Sequence, residues 1–131
     1  MTAPTLFLGV HHVAIIASDY ARSRKFYVDV LGLRVVAEIF REARQSHKLD
    51  LALPDGVQIE LFSFPNPPPR PSYPEAAGLR HLALSVHDLD ACIAHLAANG
   101  IPAEPVRVDE FTGRRFTFIA DPDGLPVELY G

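Results

Sequence analysis

Short apolar stretches alternate with amphipathic ones along this chain, and the pattern occurs twice. Residues 10–17 (VHHVAIIA) and 80–86 (RHLALSV) read as apolar strands. Each leads to an aspartate that opens an amphipathic segment: Asp19 lies seven residues after His12, and Asp88 lies seven after His81. In the first segment Tyr20, Ser23, Tyr27, Val30 and Leu31 share one helical face; in the second Leu89, Cys92, Ile93, Leu96 and Ala97 do so. Ser18, Asp19 and Asp88 are N-cap residues by type, because a short side-chain oxygen can accept a first-turn backbone N–H. Gly32 and Gly100 mark the helix ends.

Strands follow each glycine. Residues 33–40, 47–53 and 57–64 form the first set, and 101–108, 115–120 and 126–130 the second. Pro54-Asp55-Gly56 and Pro122-Asp123-Gly124 supply matched turns before the last strand of each set. Gly32 to Glu60 is 28 residues, as is Gly100 to Glu128. The offset between halves is 69 at the histidines and 68 from the helix end onward, so the second helix region is one residue shorter. The prediction is an α+β chain of two βαβββ modules, about 8–64 and 79–131, in one domain spanning 1–131. Residues 65–78 join them, with six prolines in the ten residues from Pro65 to Pro74, a composition that favours an extended connector.

Composition narrows the classes. The 131 residues are 48% hydrophobic and 21% charged, enough apolar material to bury a globular core. A net charge of −4 argues against nucleic acid as a partner. A single cysteine, Cys92, leaves no internal disulfide and no Cys-rich zinc site. No apolar run approaches the roughly 18 residues of a membrane span, so no membrane is expected. The N-terminus, Met1 to Phe7, lacks the basic start and long apolar stretch of an export leader, which predicts a cytoplasmic protein.

Strand side chains alternate faces. His12, Ala14 and Ile16 share one face, and the more apolar opposite set (His11, Val13, Ile15, Ala17) should meet the helix. Gln58, Glu60 and Phe62 likewise face away from it, as do His81, Ala83 and Ser85, and Glu128 and Tyr130. If first and last strands are neighbours in each half, two imidazoles and two carboxylates converge. A lone His or Glu on a strand is ordinarily structural; both types recurring at matched offsets point to an N₂O₂ site for one divalent ion. Zn²⁺ and Ni²⁺ lead, with Co²⁺, Mn²⁺ and Fe²⁺ also suited. His11, His87 and His95 read as structural or surface residues, and Cys92 as a small core hydrophobe. His47 could approach the site face without a matched partner, and Glu42 and Asp50 stand as minor supporting carboxylates.

Four segments in order, 11–33 (HHVAIIASDYARSRKFYVDVLGL), 57–64 (VQIELFSF), 79–90 (LRHLALSVHDLD) and 121–130 (DPDGLPVELY), resemble the vicinal oxygen chelate superfamily, and within it small glyoxalase I-like proteins. The resemblance covers residues from about 8 to 131. It implies the cupped mixed sheet of the glyoxalase/bleomycin resistance/dioxygenase fold, with His12, Glu60, His81 and Glu128 as metal ligands. It further implies a homodimer, a small-molecule substrate, and isomerisation of a 2-oxoaldehyde–thiol hemithioacetal through a metal-stabilised enediolate. Glu128 would move the proton, with Glu60 as its counterpart. Phe118 matches an aromatic position on the substrate pocket; Phe62 and Phe64 join it as apolar contacts, and Arg44, Lys48 and Arg115 are candidates for binding an anion. Two positions depart from the glutathione-dependent pattern: Ile16 replaces an arginine and Phe64 an asparagine. Alternatives within the superfamily are a dioxygenase, an epimerase, a thiol transferase conferring antibiotic resistance, and a non-enzymatic small-molecule-binding protein.

Overall fold

The computed structural model describes residues 4–131. Met1, Thr2 and Ala3, part of the segment read above as no export leader, lie outside the described residues. The chain divides into two compact units, Met1–Pro67 and Pro68–Gly131. In the first, β1 (His12–Ala17) is followed by α1 (Tyr20–Arg24), a π-helical turn (Lys25–Val30), β2 (Arg34–Arg41), a 3₁₀ turn (Glu42–Arg44), β3 (Ser46–Ala52) and β4 (Gln58–Ser63). In the second come β5 (Leu82–Ser85), α2 (Leu89–Ala98), β6 (Arg107–Val108), β7 (Arg115–Ala120) and β8 (Pro126–Tyr130). Each unit holds one four-stranded mixed sheet, ordered β1-β4-β3-β2 and β5-β8-β7-β6. The first and last strands run parallel side by side, and the other pairs are antiparallel. The α+β class and the βαβββ order thus hold in both units. No helix among the described residues is long and apolar enough to cross a membrane.

Alternation decides which sheet face is covered. Ile15, Ala17, Leu49, Leu51, Ile59 and Leu61 are buried, together with Phe26, Tyr27 and Val30 from the helical segment. Each fully buried Leu or Ile contributes about 2 kcal/mol of apolar transfer, so this layer fixes the register of three strands. The Asp19 carboxylate caps α1 by accepting Arg22 N–H at 3.1 Å, and Asp88 caps α2 by accepting Ala91 N–H at 3.0 Å. The one-residue difference between the two helix regions has a structural cause. The first unit's extra residue is absorbed as the π-helical turn, in which Leu31 N–H reaches Phe26 O at 2.9 Å.

The second unit repeats this plan with Leu89, Leu96, Thr117, Ile119, Val127 and Leu129 buried. Two expectations change. The strand read over 101–108 contracts to Arg107–Val108, because Pro102 and Pro105 carry no N–H to extend the ladder. Ahead of Arg107–Val108, Glu104 ties the stretch to β7, through its N–H to Phe118 O at 3.0 Å and its carbonyl to Thr117 Oγ1 at 2.6 Å. The proline-rich connector also turns back on itself instead of running extended. The Arg70 guanidinium donates to the Leu79 and Arg80 carbonyls at 3.2 and 2.9 Å, closing the segment into a loop. Before β4 and β8, Gly56 and Gly124 take φ of +92° and +82°, which only glycine adopts freely. Asp55 and Asp121 complete these turns by accepting backbone N–H groups.

Candidate metal centre

His12 opens β1, and Glu60 sits on β4 opposite Ala14 of the same parallel pair. Because β4 buries Ile59 and Leu61, Glu60 is turned to the uncovered face of the sheet. There Glu60 Oε2 lies 3.5 Å from His12 Nε2, and Glu60 Oε1 lies 3.9 Å from Lys48 Nζ. The ammonium is held by Asp50, whose Oδ1 is 2.7 Å away. The other ring nitrogen of His12, Nδ1, is 2.9 Å from His11 Nδ1. Glu60 keeps 14% of its side chain exposed.

The second unit makes the corresponding pair. His81 precedes β5, and Glu128 on β8 pairs with Ala83. His81 Nε2 is 3.8 Å from Glu128 Oε2, whose side chain is 16% exposed. His81 Nδ1 is buried with no hydrogen-bond partner among the described residues, so Nε2 is the ring's accessible polar atom. The Phe118 ring meets the imidazole edge to face at 5.0 Å.

Both nitrogen–oxygen separations exceed the 2.7–3.2 Å or so of a good N–H···O bond. Two donors each about 2.1 Å from one ion at the tetrahedral angle lie about 3.4 Å apart. The spacing therefore fits shared coordination better than direct hydrogen bonding, and the imidazole and carboxylate types suit a borderline divalent ion. Within each unit the donors stop at this pair: among the described residues no group of three or more His, Cys, Asp or Glu side chains is gathered to hold an ion.

The other predicted contacts divide. Phe62 shares the Glu60 face and stacks on Phe64 at 6.0 Å, and Arg44 lies over Phe64 at 5.1 Å. Lys48 stands beside Glu60, as described. Arg115 turns to the helix side, where it forms a two-point ion pair with Asp90 at 3.0 and 3.2 Å, away from the Glu128 face. His47 also departs from its expectation: Leu49 and Leu51 put it on the helix side, stacked on Tyr20 at 4.1 Å. His11, expected to meet the helix, is exposed next to His12. Burial is the main cause pushing the Tyr20 hydroxyl well above its ordinary range, reinforced by its hydrogen bond to Glu38; it pins α1 to β2 as a proton donor. Burial likewise raises the Cys92 thiol, which suits a packing role.

Sequence reasoning missed several residues on the uncovered faces. Arg41 lies over Phe62 at 5.1 Å, and Arg107 over Phe116 and Phe118 at 5.2 and 5.5 Å. No periodicity announces an arginine placed over a ring by an edge strand. The second unit also holds a cavity of about 730 Å³ between the Arg70–Arg80 loop and β7, lined in part by His81, Phe118, Arg107 and Leu79.

Known proteins are similar to this chain in sequence and in shape. The chain is 61% identical over 121 residues to the uncharacterized protein YaeR of Escherichia coli (strain K12), covering 92% of this chain and 94% of that protein. It is 56% identical over 125 residues to the uncharacterized protein YwkD of Bacillus subtilis (strain 168), covering 95% and 98%. The crystal structure of a glyoxalase family protein from Enterococcus faecalis superposes with a TM-score of 0.90 at 49% identity, covering 97% of this chain and all of that one. The model of the Glyoxalase/Bleomycin resistance protein/Dioxygenase superfamily matches residues 9–129. The chain belongs to that superfamily, the vicinal oxygen chelate proteins.

Proposed function

We propose that the protein is a divalent-metal-dependent lyase of the glyoxalase I type, isomerising a 2-oxoaldehyde–thiol adduct to a 2-hydroxyacyl thioester. Members of the superfamily commonly bind a divalent metal. The observation that carries the reading is the recurrence of one His–Glu pair per unit at the same register position, each with Nε2 and a carboxylate oxygen on the uncovered sheet face. His12, Glu60, His81 and Glu128 are the proposed ligands. When bound, a divalent ion supplies Lewis-acid stabilisation of the charge that develops on the substrate's neighbouring oxygens.

The remaining work falls to this chain's residues. Glu128 takes the proton from the carbon bearing the hydroxyl and the thiol sulfur and returns it to the adjacent carbonyl carbon. No atom is gained or lost. Phe118, packed against His81, offers an apolar wall to the adduct. Ile16 and Phe64 leave the thiol side of the substrate without the polar anchors that a charged tripeptide uses, so the reading favours a thiol other than glutathione. We further propose a homodimer acting in the cytoplasm.

The test is direct. Purified protein loaded separately with Zn²⁺, Ni²⁺ and Co²⁺ is assayed on hemithioacetals of methylglyoxal with glutathione and with uncharged thiols. Metal-dependent thioester formation with at least one thiol is expected; metal uptake without turnover on any of them would refute the lyase reading. A second reading, a protein that binds a small molecule without transforming it, draws on the second unit's cavity. It predicts ligand binding that chelation leaves unchanged.

A further inference from the structure

The two units place their glutamates at matching positions and surround them differently. Across the β3–β4 pair, Asp50 faces Glu60 and Lys48 faces Phe62. Across the β7–β8 pair, Phe118 faces Glu128 and Phe116 faces Tyr130. A charged pair in one sheet is thus replaced by an aromatic pair at the same register positions in the other. Residues paired across a ladder share a face, so Glu60 lies beside an ammonium and Glu128 beside a ring.

Geometry gives that difference a consequence. The Lys48 ammonium is anchored on Asp50 Oδ1 at 2.7 Å and reaches Glu60 Oε1 at 3.9 Å. The other oxygen, Oε2, is the one beside His12 Nε2. All three charged side chains are largely buried, so water screens them only in part. We propose that Lys48 is a positioning residue for Glu60, held by Asp50. Its charge stands on the Oε1 side of the carboxylate and leaves Oε2, beside His12, as the oxygen offered to a metal ion. Glu60 is then the fixed, single-oxygen ligand, and Glu128, which faces the Phe118 ring and not an anchored lysine at the equivalent register position, is the carboxylate left free to move. The inference rests on the metal-dependent reading above.

Lys48→Met and Asp50→Asn separate this role from simple support of the fold. Lys48→Met removes a positive charge and releases Oε1, so Glu60 offers two oxygens. Loss of one unit charge a side chain away from a divalent ion is worth about tenfold in affinity even in water. Co²⁺ should bind about tenfold tighter, with a changed visible absorption band. Asp50→Asn frees the ammonium to close on Glu60, and Co²⁺ should bind several-fold more weakly. Lys48→Arg should restore the wild-type band. A merely structural role would weaken binding in both variants. Calorimetric titration of the full chain with Co²⁺, with circular dichroism to confirm folding, measures all of this. Opposite signs in the two variants support the proposal. The same sign in both, or an unchanged band in Lys48→Met, overturns it while leaving metal binding intact. Wild-type protein that takes up no Co²⁺ overturns both this inference and the functional reading beneath it.

Discussion

His11 Nδ1 and His12 Nδ1 lie 2.9 Å apart, so one ring nitrogen donates a proton to the other. A histidine that offers Nε2 to a cation carries its proton on Nδ1. For His12 to be such a ligand, His11 must be the acceptor that fixes the tautomer. Partners of this kind typically set metal affinity by about ten- to a hundred-fold. His11→Phe keeps an aromatic ring and removes the acceptor. It should weaken Zn²⁺ binding by about tenfold in a calorimetric titration. Unchanged affinity would mean that His12 is oriented by something else.

Glu128→Gln should abolish turnover and spare the fold. General acid–base groups contribute about 10²- to 10⁴-fold to a rate, so kcat should fall by about that range. His81 Nε2, which faces Glu128 Oε2, is 3.8 Å away, beyond hydrogen-bond reach. The thermal midpoint in the absence of metal should therefore stay close to that of the wild type. Retained turnover would remove Glu128 from the proton-transfer role.

Chelation should lower stability without unfolding the chain. Each unit's core is built from apolar residues such as Leu49, Leu51 and Ile59, or Val127, Ile119 and Leu129, on the sheet face opposite the donors. An ion at a hundred times its dissociation constant adds about 2.7 kcal/mol to the folded state, or about 10 °C in midpoint for a chain of this size. Scanning calorimetry with and without EDTA should show a cooperative transition in both states, shifted by that amount. Loss of the transition on chelation would mean that the metal holds the fold itself.

Much of this arrangement is legible in the sequence, and the failures have physical causes. Strand parity is readable because Leu49/Leu51 and Val127/Leu129 mark the covered face, and that parity also turns His47 and Arg115 to the helix side. Both deviations are thus latent in the alternation. The 69-to-68 change of offset is the trace of the π-helical turn, visible as a missing residue but not as a conformation. Proline content predicts local stiffness, yet the path of residues 65–78 is set by Arg70 reaching the Leu79 and Arg80 carbonyls, a contact over nine and ten residues. The Lys48–Asp50 pair is spelled out in the sequence as charges two apart on one strand. Only the ladder shows that it faces Glu60 and that Phe116 and Phe118 stand in its place in the other unit.

Acid should weaken the fold through exposed carboxylates. Asp109 accepts the Phe111 backbone N–H at 2.9 Å and the Tyr130 hydroxyl at 2.9 Å, and these bonds hold its carboxyl below the ordinary 3.8. The Arg24 guanidinium, with the Tyr20 hydroxyl second, holds Glu38 below its ordinary 4.5. A carboxyl lowered in the folded state stabilises above its unfolded value, and that stability is lost as pH falls through the folded one. Glu38 is solvent-exposed and Asp109 partly so, so the effect is small and shrinks with salt. Asp109→Asn should lower the thermal midpoint by a few degrees at pH 7, and the gap to wild type should close as pH drops below 3.8. A gap that persists in acid would assign the effect to packing at the 109–114 turn.

Ile16 and Phe64 carry the specificity argument. Ile16 shares the strand face of His12 and is 53% exposed, while Phe64 stacks on Phe62 with the Arg44 guanidinium above it. Neither side chain can hydrogen-bond a carboxylate. A new charge-assisted bond is worth about 1.5–3 kcal/mol, or about ten- to a hundred-fold in KM when it acts equally on bound substrate and transition state. Ile16→Arg should therefore lower KM for the methylglyoxal–glutathione adduct by about tenfold and leave kcat unchanged. KM for an adduct with an uncharged thiol should not move. Ile16→Arg combined with Phe64→Asn should extend the gain, provided that loss of the Phe62–Phe64 stack leaves Arg44 in place. Steady-state kinetics on the two adducts checks the point. An equal change for both thiols would show that position 16 touches the common part of the substrate rather than its thiol end.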